Sequence, residues 1–146
     1  MSDNFSLPEM DFEFKVQTKG NETGKEWVGD FKYRRPTLGG RARISITRTR
    51  LNGDLENIDD AEVRQLNDAL AHLRHTLTKF PQWWADSMFG MELYDGNLVS
   101  EIYNKCMDFE AEWKEKVHSG NKSDVEVGKD AHTEEFVKAT QGEVTQ

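Results

Sequence analysis

His72 and His75 stand three residues apart, so one helical face can carry both imidazoles toward a metal ion. A zinc site needs further ligands, and no Cys or other His lies near them in sequence. Neither belongs to the apolar seam of its segment, so both read as solvated. Cys106, the one cysteine, is the only thiol nucleophile available. It falls on an apolar helical stripe, which reads as a buried structural thiol. The acid pairs Asp59-Asp60 and Glu134-Glu135 have the chemistry for proton transfer, but they sit at a helix cap and in a polar tail. Gly39-Gly40 before Arg41 lacks the further glycine and the Lys-Ser/Thr of a phosphate loop. A dinucleotide fingerprint and a Gly-x-Ser-x-Gly elbow are also missing. The expectation is a non-enzyme with no catalytic residue, metal or cofactor.

Two aromatic features remain. Trp83-Trp84 is either a core plug or a docking anchor, since aromatics dominate interface hot spots. Phe31-Lys32-Tyr33-Arg34-Arg35 has the make-up of a base-stacking platform, but an edge strand protected by its charges explains it better.

The elements that must hold these residues follow from periodicity. Residues 1–9 read as a flexible lead-in. From Met10, Phe12, Phe14 and Val16 alternate with Asp11, Glu13, Lys15 and Gln17, which is a strand with one wet face. Turn residues 19–25 lead to a second strand through Arg35, with Gly29 suggesting a bulge. The hairpin spans 10–35 and needs helices or another chain to pack on. Segment 41–51 has β-branched residues suited to a strand, yet Leu38, Ala42, Ile46 and Thr49 make a helical stripe behind Pro36-Thr37. A helix over about 37–51 is expected. Val63, Leu66, Leu70, Leu73, Leu77 and Phe80 predict a second helix over 60–80, capped by Asp59 or Asp60 and closed by Pro81. A short turn holds the tryptophans. Leu98, Ile102, Cys106, Phe109 and Trp113 predict a last helix over 97–117.

Residues 118–146 are too polar to offset their ordering entropy and read as a mostly disordered acidic tail, with a short helix conceivable near Thr133–Ala139. The expected architecture is α+β: one domain over 10–117, an N-terminal antiparallel hairpin packed on three to four helices, with flexible ends. Two leucine-lined rods and a ribbon would leave surface for another polypeptide. A deep polar cleft between the rods would contradict that.

Composition narrows the class. The 146 residues are 36% hydrophobic and 32% charged, with mean hydropathy -0.81. No window approaches the ~18 apolar residues of a membrane span, and the start MSDNFSLPEMDF lacks the pattern of a secretory signal. A single cysteine allows no internal disulfide and fits a reducing cytoplasm. The net charge of -8 argues against a general nucleic-acid binder. Seven bases and no acid fall between Lys32 and Arg50, then five acids and no base between Asp54 and Glu62. Adjacent blocks of opposite sign predict a contact within the molecule or between copies.

The run Trp27–Ile44 (WVGDFKYRRPTLGGRARI), then Leu66-Asn67-Asp68-Ala69-Leu70-Ala71-His72-Leu73 and Pro81-Gln82-Trp83-Trp84, resembles small morphogenesis proteins of tailed bacteriophages, in particular tail assembly chaperones. The resemblance covers roughly residues 10–117. It implies binding of the tape measure protein and recruitment of tail tube subunits in the host cytoplasm, with homo-oligomers within reach. Phe31, Tyr33, Arg34, Arg35, Trp83 and Trp84 are then the expected contact residues. The rival readings are a structural virion protein of the head–tail junction or capsid, and a small nucleic-acid-binding regulator using Lys32–Arg50.

Overall fold

The computed structural model describes residues 6–53 and 60–120. The chain divides into a main unit, Glu9–Glu110, and a second formed by Met1–Pro8 with Ala111–Gln146. In the second unit the Trp113 indole Nε1–H donates to the Pro8 carbonyl at 3.2 Å. Residues 118–120 of the expected tail continue the last helix; the rest of the expected acidic tail, with the segment near Thr133–Ala139, lies outside the described residues, as does Asp59.

The main unit is α+β. Strands β1 (Asp11–Lys19) and β2 (Glu26–Arg34) form the expected hairpin. Helix α1 (Leu38–Asn52) and helix α2 (Ala61–Thr76) follow, then a short strand β3 (Leu77–Lys79), a single turn α3 (Gln82–Asp86) and the long α4 (Gly96–Gly120), whose residues from Ala111 onward belong to the second unit. The antiparallel sheet has the order β1-β2-β3.

Alternation sets the hairpin's inner face. Phe12 pairs with Tyr33, Phe14 with Phe31 and Val16 with Gly29. Val16, Phe31 and Tyr33 are fully buried, and the rings of Phe14 and Phe31 stack at 5.5 Å. The register runs through Gly29 without a bulge. Gly29 answers to a close approach instead: a Cβ there would meet Pro81 Cγ at 2.5 Å. The irregularity falls between Lys32 and Tyr33, where β3 joins β2.

Segment 41–51 is helical. Thr37 caps α1 by accepting from the Gly40 N–H at 3.0 Å, and Gly53 closes it through the Thr49 carbonyl. The stripe that faces α2 is not the expected one. Gly40 and Ile44 are buried and Thr47 and Leu51 half-buried, while Leu38, Ala42, Ile46 and Thr49 face solvent. Both stripes have helical spacing, and only packing distinguishes them.

Asp60 caps α2, accepting from the Glu62 and Val63 N–H groups. The helix stops at Thr76, four residues short of the expected end. The Thr76 hydroxyl bonds back to the His72 carbonyl at 2.7 Å, and Leu77–Lys79 turn extended to pair with the β2 edge. Pro81 biases its predecessor toward extended backbone. Leu77 therefore reaches the core from a strand. The core gathers Leu70, Leu73, Trp84, Leu98, Ile102 and Cys106 beneath the sheet.

Candidate polypeptide-binding groove

Two carboxylates anchor the hairpin. At its turn, buried Asp95 accepts from the Glu22 and Thr23 N–H groups, the Thr23 hydroxyl and the Trp27 indole at 2.6–2.9 Å. Those bonds, the Thr23 hydroxyl foremost, hold the carboxyl far below the usual range although burial opposes them. At the open end Glu110 accepts from the Tyr33 hydroxyl at 2.6 Å and from Arg35 Nε at 2.8 Å. The same hydroxyl lies 2.9 Å from His72 Nε2. A phenol has one proton; with that proton given to Glu110, Nε2–H must donate to Tyr33, which fixes the tautomer. Burial lowers the His72 pKa against the opposing Glu110 charge. His72 is thus half-buried and bonded, not solvated. His75 is exposed, 2.6 Å from the Thr47 hydroxyl. Burial, helped by Glu110, pushes the Cys106 thiol up to about 12, which keeps it protonated and inert.

The six residues expected to contact a partner do not form one surface. Phe31, Tyr33 and Trp84 are at most 1% exposed. Their role is corrected to core: they are the largest side chains on the inner faces, and burying them stabilises the sheet–helix contact. Trp83 is half-buried, with its indole N–H on the Val28 carbonyl at 2.9 Å and its ring against Trp27 and Phe31. Arg35 is engaged by Glu110. Arg34 is exposed and pairs with Asp11 at 3.1 Å.

An accessible apolar cluster lies elsewhere. Met88, Met91 and Tyr94, which are 59%, 44% and 81% exposed, stand on the loop between α3 and α4. That loop is strained. Met88 and Phe89 both have φ of 55°, followed by Gly90 at 93°. Left-handed backbone at non-glycine residues costs about 1–3 kcal/mol each and persists where surroundings over-determine it. Here Phe89 N–H bonds the Trp84 carbonyl, Glu92 N–H the Ser87 carbonyl, and the Phe89 ring packs on Phe80 beneath Arg74.

Beside this loop a groove runs between α2 and the start of α4. One end is an apolar pocket of about 180 Å³, with Val63, Leu66, Leu70, Leu93 and Val99 below and Met91 and Tyr94 at its rim. Leu66 and Gly96 continue into a wider stretch of about 510 Å³, walled by Gln65, Asp68, Ser100, Tyr103 and Asn104. Gln65, Asp68, Ser100 and Asn104 are exposed, so this half is an open trough and not a deep polar cleft. Glu62 and Asp68 line it, Asp68 pairing with Arg48 at 4.0 Å, and among the described residues neither half is lined by Lys or Arg.

The loop residues escaped the sequence reading because they follow no period. The available signal was an apolar cluster, Met88-Phe89-Gly90-Met91, between turn residues. Among the described residues no group of three or more His, Cys, Asp or Glu could hold a metal ion, and no helix is long and apolar enough to cross a membrane. Comparison with protein-family models, curated proteins and solved structures finds no match to this chain.

Proposed function

We propose that this chain is a polypeptide-binding assembly factor without catalytic chemistry, and specifically a tail assembly chaperone of tailed bacteriophages that binds the tape measure protein in the host cytoplasm and helps recruit tail tube subunits. The observation that carries polypeptide binding is the α2–α4 groove with its strained, methionine-bearing lip. An amphipathic helix lays its apolar face into such a groove, and methionines adapt to varied side chains. The apolar end suits one anchoring side chain, and the polar trough suits the helix flank that follows. The phage assignment draws its support from the sequence resemblance over residues 10–117.

Co-expression with a tape measure protein tests the reading. The two should co-purify, and Met91→Asp should cut recovery by about tenfold or more while leaving circular dichroism unchanged, since Met91 is exposed. Mass spectrometry of purified virions should find the chain at trace level. Failure to associate on co-expression, stoichiometric presence in virions, or turnover of a small substrate by the pure protein would each overturn it.

A further inference from the structure

Helix α1 carries Arg41, Arg43, Arg48 and Arg50, all exposed, and no acid. Buried Gly40 and Ile44 and half-buried Thr47 and Leu51 form its side against α2. At 3.6 residues per turn the opposite side is therefore Leu38, Ala42, Ser45, Ile46 and Thr49, all exposed. Arg41 and Arg48 flank that neutral crest on one side, and Arg43 and Arg50 on the other. The two arginines of each row stand about 10 Å apart along the helix axis. Arg48 reaches Asp68 only at 4.0 Å with both side chains half exposed, and such a pair contributes little. Arg41, Arg43 and Arg50 have no acidic partner among the described residues. The positive zone continues onto α2, where burial first and then the charges of Arg43 and Arg74 lower the His75 pKa.

We infer that the outer side of α1 binds duplex DNA by entering its major groove. That groove is about 12 Å wide and admits one α-helix. With α1 laid in it, the two arginine rows face the two phosphate walls. About three base pairs, at 3.4 Å each, span the distance between the arginines of one row. Arginine suits the role, because its planar fork holds a phosphate through two N–H groups and is weakly hydrated. On the crest, Ala42, Ser45 and Thr49 are short and neutral and let the helix approach the base edges. The crest carries no Arg, Asn or Gln to read those edges bidentately, so affinity comes from the phosphates and sequence preference is weak. Two other anions fit less well. A bilayer surface rewards buried apolar area, and Leu38 and Ile46 are the only large apolar residues of the crest. An acidic polypeptide does not present two parallel rows of charge at a fixed spacing. The net charge of -8 opposes approach, but salt screens that repulsion beyond about 8–10 Å, so the arginines dominate at contact. The surface shares no residue with the α2–α4 groove, so this inference stands apart from the polypeptide-binding reading.

Fluorescence anisotropy of a short labelled DNA duplex of mixed sequence, titrated with the full chain at several salt concentrations, tests this. Log affinity should fall against log salt with a slope of about -3, at about 0.9 per phosphate contact. Arg43→Gln/Arg50→Gln should weaken binding by about tenfold or more and shrink the slope by about 2. Arg41→Gln/Arg48→Gln should shrink it by about 1, because Asp68 already draws on Arg48. Lys15→Gln, exposed on β1 and outside the surface, should change neither. Circular dichroism and urea midpoints of all three variants should match the wild type, since every altered side chain is exposed. Changing the sequence of the duplex should move the affinity only a few fold. An absence of binding at low salt, binding that both arginine variants leave intact, or equal binding to poly-glutamate or to phosphatidylserine vesicles would overturn the proposal.

Discussion

The β1–β2 hairpin and helix α1 are consecutive in sequence, yet the fold treats them in opposite ways. The hairpin is clamped at both ends by carboxylates whose oxygens collect backbone, hydroxyl, indole and guanidinium donors. Helix α1 rests on α2 through buried Ile44, half-buried Leu51, polar contacts of Thr47 with His75 at 2.6 Å and Asn67 with Asn52 at 3.0 Å, and a loose Arg48–Asp68 pair at 4.0 Å. Polar groups that are buried and satisfied fix one arrangement, whereas exposed pairs contribute little. The hairpin is therefore scaffold, and α1 has surface to offer.

Asp95→Asn should produce the largest loss of stability of any change that sharpens this contrast. It removes the charge that four donors address and places an amide donor against them. The pH dependence has a definite sign. The folded carboxyl sits below its unfolded value, so its contribution is complete above pH about 4 and drains away as pH falls from there toward the folded value. Urea midpoints should drop with acid in the wild type, and the Asn variant should lack that component.

Next in size is Glu110→Gln, at about 2–3 kcal/mol, because it breaks a largely buried pair with Arg35 and weakens the Tyr33 bond. Equilibrium denaturation measures it. His72 adds a weaker trend of the same sign as Asp95. Its folded pKa is lowered, so stability is whole above about pH 6.5 and declines as pH falls below. Replacing the titratable imidazole with a phenyl ring, His72→Phe, should flatten the curve in that window. At the small end, Ile46→Ser on the outer face of α1 should shift stability by less than about 0.5 kcal/mol, since Ile46 is 52% exposed. A large effect from Ile46→Ser, or a negligible one from Asp95→Asn, would erase the distinction between clamp and free face.

The sequence was informative wherever local chemistry and period agree. The two hairpin strands, the Thr37 cap, an aspartate cap on α2 at 59 or 60, the Leu98–Ile102–Cys106 stripe and the buried thiol could all be read from local pattern. It misjudged positions whose role depends on a distant partner. Gly29 needs space for Pro81, His72 meets a hydroxyl 39 residues away, and Leu77–Lys79 leave a helical period to fill an open sheet edge.

The sequence by itself determined the amphipathic rods and the unbroken basic run, because period and charge are local properties of the chain. Tertiary structure alone decided which stripe of α1 faces out, which carboxylates meet which donors, and that the aromatic strip Phe31–Tyr33 is interior while Met88, Met91 and Tyr94 are not. Burial is a competition among all faces for one limited interior. A residue's own type enters that competition without settling it.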